Sequence, residues 1–462
     1  MFPWQKVLCV LGMCALPTGL LAQESSTEGL GLAEAVRIVV AESPSSRIAE
    51  AQVAVAEDGR KAARGHFLPK LRAEVDYTNL NKVPEIPIPE EIESSPFPIE
   101  FSAGDTEQLN VRATLEQPLF TGLALLTQYR VARLGTRRAD LGQETTRQEL
   151  ILRAYEAYYG VLLAEKFLDV AEQAVSQLTS QAEVARQFYE TGVTPKNEYL
   201  KVLVQLADTK HKRIVANYDL DFARSRLRTL LRWDGNRPLR LTEELVYRPY
   251  ERSLDDCLDV SYRYHPRILL AGIEIEATNQ GITGARSRYF PQISLIGGLS
   301  HEEGGFTEGD DILSATLHAE WLVWEWGSNY YEVRQEKSRL LQARARKTQA
   351  RDLTELEVRE AYIALQGSRE AIEVARVGVE QADENYRITE EQFQESIATS
   401  QEVLDAQTGQ SRAQVNYYEA LNSYIVAIAR LERAMGVLQE PGEVERVPDV
   451  LKEQEDYLSE DG

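Results

Sequence analysis

The sequence is poor in cysteine, in basic charge and in long uncharged apolar runs, and each shortage excludes something. Three cysteines occur in 462 residues, and two of them, Cys9 and Cys14, lie in the N-terminal apolar segment. Cys257 is left alone. A single thiol builds neither a disulfide framework nor a metal cluster, and its expected place is half-buried on a helix. Acids outnumber bases, 73 to 51, giving a formal net charge of −22. That balance argues against a nucleic-acid partner and against an anionic membrane surface. The five histidines (66, 211, 265, 301, 318) show no metal-ligand spacing. Gly29-Leu30-Gly31 lacks the third glycine and the preceding strand of a phosphate loop, and no Gly-x-Ser-x-Gly occurs. No catalytic residue, cofactor or metal is therefore expected. Past the first 22 residues no uncharged run is long enough for a transmembrane helix. If the chain enters a membrane, it does so as strands.

Residues 1–22 read as a signal peptide, with Lys6 in the n-region, an apolar stretch from Val7 to Leu21, and Ala22 as the small residue at the cleavage point. About 15 apolar residues interrupted by Pro17 are short for a membrane span. The expectation is an exported chain.

The rest is organised around Arg286-Ser287-Arg288-Tyr289-Phe290-Pro291-Gln292-Ile293, where a helical pattern gives way to a period of two. Proline lacks the amide donor and turns the residue before it away from helix, so Pro291 marks the switch. A second copy stands at Arg64-Gly65-His66-Phe67-Leu68-Pro69-Lys70-Leu71. Pro69 and Pro291 are 222 apart, as are the helix-restarting Pro44 and Pro266. Beyond the strands the offset becomes 204: Tyr189 matches Phe393, and Leu200 matches Leu404. The first copy is thus 18 residues longer, and the Pro-rich stretch 80–108 absorbs the excess as a surface loop.

The duplicated plan predicts a first repeat over 23–232. It holds helices within 30–67, strands 71–79 and 109–117, and a long helical hairpin at 122–232. A connector covers 233–252. The second repeat spans 253–436, with helices within 254–289, strands 293–301 and 312–321, and a hairpin at 327–436. An acidic tail follows at 437–462. Each strand alternates, as in Leu71, Ala73, Val75 and Tyr77 against Arg72, Glu74 and Asp76. Nine or ten residues suffice to cross a bilayer when tilted. Four strands cannot close a barrel, so a barrel would need several chains: two would give eight strands, three twelve. Two soluble hairpins packed on the helices are the competing reading. Aromatics favour the membrane, because Phe67, Phe120, Tyr289, Phe290, Trp321, Trp324 and Trp326 all sit where strands meet helices.

At these residues the chain resembles the TolC-like outer-membrane efflux proteins. The carrying motifs are Phe67-Leu68-Pro69-Lys70-Leu71, Tyr289-Phe290-Pro291-Gln292-Ile293, Gln117-Pro118-Leu119-Phe120-Thr121-Gly122 and Glu402-Val403-Leu404-Asp405-Ala406-Gln407, with the closing Leu431-Glu432-Arg433-Ala434-Met435-Gly436. The resemblance implies a homotrimer with a twelve-stranded outer-membrane barrel on a periplasmic α-helical barrel. It also implies hairpin tips that dock a periplasmic adaptor and, through it, an inner-membrane pump. The corners Phe120-Thr121-Gly122-Leu123 and Trp324-Glu325-Trp326-Gly327 depart from the Asp-Gly-Gly the family often has there, which leaves their geometry open. A secreted or periplasmic coiled-coil scaffold without a pore is the alternative from another class.

The tips are the candidate sites. Tyr189 to Pro195 reads as a helix end with Gly192 in the left-handed cap, Thr194 as the next N-cap and Pro195 in the first helical position. Ser396 takes the matching turn position, and Thr399-x-x-Glu402 is a capping box. Glu402 and Asp405 lie three apart on one helix face. The resemblance implies that acids at these two positions ring the periplasmic entrance. The first repeat has Glu198 and Lys201 there instead, so one tip type alone would carry the acids.

Overall fold

The computed structural model describes residues 29–82, 106–235, 237–304 and 307–441, with side chains placed at all but 307–310. The signal-peptide segment, most of the 80–108 loop and nearly all of the acidic tail lie outside these residues. The element order is α1 (Leu32–Glu42), α2 (Pro44–Gly65), β1 (Lys70–Asn79), β2 (Glu107–Phe120), α3 (Ala124–Glu190), α4 (Lys196–Leu231), α5 (Leu254–Tyr264), α6 (Pro266–Ser287), β3 (Gln292–Gly304), β4 (Thr307–Glu320), α7 (Ser328–Gln394) and α8 (Ser400–Met435). The duplication is kept residue for residue in the helices, which have 11, 22, 67 and 36 residues in both repeats. At 1.5 Å per residue, α3 and α7 each run about 100 Å. None of the described helices is long and apolar enough to cross a membrane.

Local chemistry sets the breaks. Pro44 and Pro266 open α2 and α6, and the residue before each caps the new helix: Ser43 Oγ accepts from the Ser45 amide at 3.2 Å, and His265 Nδ1 accepts from the Arg267 amide at 3.1 Å. Ser253 and Asp256 form a capping box on α5. The strands form one antiparallel sheet in the order β1-β2-β3-β4. Its register brings apolar positions together across all four strands. Leu71 pairs with Leu115, which pairs with Gly297, and Gly297 with Ala315. Ala73, Ala113, Leu299 and Leu313 form the next row. The other face carries rows such as Arg72, Thr114, Gly298 and Ser314. Pro118 is tolerated because the ladder shifts register between it and Phe120. β4 stops at Glu320, so Trp321, expected to end that strand, begins the irregular link to α7.

Both strand-to-helix corners use two consecutive left-handed residues. They are Gly122 (φ 59°) with Leu123 (φ 75°), and Trp326 (φ 49°) with Gly327 (φ 84°). The offset of 204 equates Gly122 with Trp326 and Leu123 with Gly327. One geometry is therefore retained with a single glycine per corner, placed in opposite slots. The other slot holds a side chain in a region that costs roughly 1–2 kcal/mol per non-glycine residue.

Apolar cores run down the shaft. One gathers α1, α3, α4 and the 233–252 link around Val36, Ile151, Tyr158 and Leu227. A second joins α5, α7 and α8 around Val358, Leu365, Tyr424 and Leu431. Two tyrosines pin the link to the shaft. The Tyr158 hydroxyl donates to the Leu30 carbonyl at 2.8 Å and accepts from the Glu243 amide at 3.2 Å. The Tyr424 hydroxyl donates to the Arg248 carbonyl at 2.9 Å and accepts from the Tyr250 amide at 3.0 Å. Cys257 is fully buried in the second core rather than half-buried, because α5 packs its 257/258/261 face against α7 and α8. Burial pushes its thiol pKa up, which keeps it protonated and unreactive.

Candidate functional site: the hairpin tips and the strand–helix corners

The two tips close alike. After α3, Gly192 (φ 76°) reverses the chain, and the Val193 and Thr194 amides donate to the Phe188 carbonyl at 2.8 and 3.2 Å. After α7, Ser396 (φ 61°) does the same, and the Ile397 and Ala398 amides donate to the Gln392 carbonyl at 2.8 and 3.1 Å. The starts of the return helices differ. Thr399 caps α8, with its hydroxyl accepting from the Glu402 amide at 3.3 Å while the Glu402 carboxylate accepts from the Thr399 amide at 2.7 Å. In the first tip Thr194 does not cap. Pro195, the equivalent of Thr399, takes the cap position itself with no side-chain hydrogen bond, so α4 begins at Lys196.

A shared core holds the hairpins together at this end: Leu178, Ala182, Val202, Tyr386, Phe393, Val403 and Leu404, with Phe188 and Phe393 ring centroids 5.7 Å apart. Polar bridges cross between hairpins above it. Gln181 donates to Glu390 at 3.1 Å, and Gln177 to Gln410 at 3.0 Å.

Glu402 and Asp405 are both exposed and face the groove of about 600 Å³ between α7 and α8. Small residues, among them Gly378, Ala382, Ala406 and Gly409, keep that groove open. The Thr399 amide, and then its hydroxyl, hold the Glu402 carboxyl below its usual pKa. Asp405 accepts from Gln401 at 2.9 Å. Asp405 also borders a second groove, of about 410 Å³, between α4 and α8, and Lys201 lines that groove with it. Lys201 is meanwhile held by Glu198 at 2.8 Å. The sequence reading treated Glu198 and Lys201 as a failed copy of the acid pair. Packing of α4 beside α8 instead puts the base and the acid on one groove, a relation that spacing along either helix does not contain. Two exposed apolar tip residues also escaped notice, Val193 (57% exposed) and Ile397 (70%). The 204 offset that equates them was the available signal.

At the other end of the shaft all seven corner aromatics are exposed, from 38% at Phe67 and Phe120 to 89% at Trp326. Phe67 meets Tyr129 edge-on at 6.2 Å, Phe120 meets Phe290 at 6.4 Å, and the Trp321 indole donates to the Tyr289 carbonyl at 3.2 Å. Among the described residues no group of three or more His, Cys, Asp or Glu is placed to hold a metal ion.

The sequence model of the outer membrane efflux protein family matches residues 36–231 and 263–437, that is, both repeats. Outer membrane protein TolC of Vibrio cholerae is 22% identical over 312 residues, covering 66% of this chain and 71% of its own. The alkaline protease secretion protein AprF of Pseudomonas aeruginosa is 23% identical over 341 residues, covering 71% of this chain and 69% of its own. The crystal structure of the Campylobacter jejuni CmeC outer membrane channel superposes with a TM-score of 0.76 at 16% identity, covering 92% of this chain and 89% of that one. With both repeats matched and the helix–sheet architecture shared, the chain belongs to the outer membrane efflux protein family and is a channel protein of the outer membrane.

Proposed function

We propose that three copies of this chain form the exit duct of a tripartite efflux or type I secretion system, a passive conduit rather than an enzyme. The observation that carries the reading is the sheet, with one apolar face, one polar face and two unpaired edges. β1 and β4 each pair on one side only, and an open edge cannot face lipid. Pairing β4 of one copy with β1 of the next closes twelve strands, apolar side to lipid and polar side to the lumen. From Leu313 to Ala319 the lipid side of β4 runs roughly 20 Å along the strand, or about 15 Å along the membrane normal at a tilt near 40°, and the corner aromatics extend it. The helices call for the same closure. α4 exposes Val204, Tyr218 and Phe222, and α7 exposes Leu356, Ile363 and Val374, all between 62% and 74%. Apolar stripes of that length on water-facing helices are what a neighbouring copy would cover.

In this assembly Phe67, Phe120, Tyr289, Phe290, Trp321, Trp324 and Trp326 form the girdle at the periplasmic membrane interface. Three-fold symmetry gathers Glu402 and Asp405 into a ring of carboxylates at the entrance, the arrangement that favours cations in a pore. The tips around Gly192, Thr194, Pro195, Ser396 and Thr399, with Val193 and Ile397 exposed on them, dock a periplasmic adaptor that connects to an inner-membrane pump. Mass measurement in detergent together with planar-bilayer recording tests the reading. The expected result is a trimer that conducts; a monomer, or a trimer without conductance, would refute it.

A further inference from the structure

The overall charge of −22 hides a reversal near the corners. Residues 57–70, 124–140, 281–291 and 325–351 make up the helical shell next to the barrel, and they contain 17 bases and 6 acids, a surplus of 11 positive charges. Two arginine positions recur in both repeats. Arg64 matches Arg286 at the offset of 222, one to two helical turns before the strand-opening proline. Arg130 matches Arg334 at the offset of 204, eight residues past the equivalent corner residues Gly122 and Trp326. All four side chains are exposed, and none has a carboxylate within ion-pair distance among the described residues. Lower on the shaft the pattern is the opposite. Arg186, Arg376 and Arg387 each reach two glutamates one turn away, and Arg359 reaches Glu355 at 2.8 Å. The four arginines that the duplication repeats stay without a carboxylate among the described residues of this chain, while their neighbours Arg288 and Arg339 pair with Glu332 and Glu336.

Eight residues of helix span about 12 Å. The two arginine levels therefore lie roughly 7 to 12 Å below the corner, where a long arginine side chain reaches up into a headgroup layer about 5–8 Å deep. A guanidinium is the side chain best suited to phosphate, which it can grip through two parallel hydrogen bonds. We infer that Arg64, Arg130, Arg286 and Arg334 form a collar that holds the phosphates of anionic phospholipid in the membrane leaflet facing the periplasm. The duplication makes four such positions per chain, spaced around the barrel base at each corner. Chain-wide charge argues against an anionic surface, but salt screens distant charge beyond a Debye length of about 10 Å, so the unpaired arginines in contact with the headgroups decide the matter. The collar fixes the height at which the barrel sits, complementing the tryptophans. The inference rests on the girdle lying in the membrane, and the test separates the two.

The purified full-length protein in detergent is titrated with phosphatidylglycerol or phosphatidylethanolamine and read by native mass spectrometry. In parallel, the protein in vesicles carrying brominated acyl chains is read by tryptophan quenching. The parent is expected to retain phosphatidylglycerol about tenfold over phosphatidylethanolamine, as a few charge-assisted contacts allow, and to lose that preference in high salt. The quadruple variant Arg64→Gln, Arg130→Gln, Arg286→Gln, Arg334→Gln should lose the preference while its circular dichroism and oligomeric state stay unchanged. The four Arg→Lys changes should keep part of it, since the charge stays while the two-bond grip is lost. The same four glutamine changes at Arg186, Arg359, Arg376 and Arg387 should leave it intact. Normal quenching with equal lipid retention by parent and quadruple variant overturns the collar alone, and absence of quenching overturns the girdle and the collar together. Inorganic phosphate displacing the lipid at equal concentration would mean a free-anion site and likewise overturns it.

Discussion

The two corners make a sharp comparison, because one backbone geometry is built from glycine in opposite slots. At Gly122 an added Cβ runs into the Ser287 carbonyl oxygen and stands 2.9 Å from the Phe290 Cβ. Neither obstacle is the end of a flexible side chain. At Gly327 the nearest atom to such a Cβ is a Tyr331 ring carbon at 3.7 Å, an ordinary contact. Both glycines have positive φ, so alanine at either carries about 1–2 kcal/mol of left-handed strain. Gly122→Ala must in addition push α6 away from the corner, an overpacking cost of about 1–3 kcal/mol. The expected order is a loss of about 1–2 kcal/mol per subunit for Gly327→Ala and about 2–5 for Gly122→Ala. The midpoint temperature of dissociation of the detergent-solubilised assembly reads the order, and the amount assembled in the outer membrane should follow it. The second corner already accepts a side chain in the slot equivalent to Gly122, namely Trp326, which stands 89% exposed. Equal losses for the two variants, or a larger loss at Gly327, would refute the argument that the Ser287 carbonyl is what demands glycine at 122.

Three further predictions follow from buried and exposed polar groups. His265 is 8% exposed and its pKa is lowered to about 3, first by burial and then by Arg267 and Arg433, so it stays neutral in the fold but is protonated when unfolded below about pH 6.5. Stability should hold above that pH and fall by about 1.4 kcal/mol per unit below it, roughly 2 kcal/mol by pH 5. Denaturant midpoints at the two pH values should show that loss in the parent and not in His265→Asn, which keeps an acceptor for the Arg267 amide. Tyr424→Phe strands the Tyr250 amide and the Arg248 carbonyl, so about 1–3 kcal/mol of stability should go. Faster hydrogen exchange at the Tyr250 amide would be its signature, and unchanged exchange would show that the link is held elsewhere. Asp405→Ala should reduce cation selectivity and block by multivalent cations in single-channel records without changing assembly, whereas unchanged records would place Asp405 outside the pore.

How far the sequence could be read depended on the range of the interaction. Prolines, capping residues and alternation act within a few positions. The breaks at Pro44 and Pro266, the Thr399 capping box and the four strands were accordingly legible, with ends off by a few residues. The duplication made the register of the repeats legible too, since two offsets, 222 and 204, place nearly every element of the second half from the first. Cys257 was misjudged because its burial comes from α7 and α8, whose matching residues lie about a hundred or more positions away. Thr194 was misassigned by one position. The capping Thr399 corresponds at the offset of 204 to Pro195, not to Thr194, so α4 starts one position later than a Thr194 cap would place it.

The departures from repeat symmetry carry as much as the symmetry. The two hairpins match in length and tip closure, yet only the second pairs a capping box with a second acid, and only its groove is lined with small residues. At the positions 204 earlier the first hairpin has Leu178, Gln181 and Gln205 in place of Ala382, Asn385 and Gly409. Backbone length must match for six hairpins to close into one helical barrel, so selection on geometry keeps the repeats equal. Side chains at the tips do not enter that closure, so they are free to differ. The first hairpin spent its freedom on a Glu198–Lys201 pair, which satisfies its own charge, and the second on Glu402 and Asp405, which do not satisfy each other. In the proposed trimer, three copies would bring six such carboxylates together at the tips, and cations from solution would offset their repulsion.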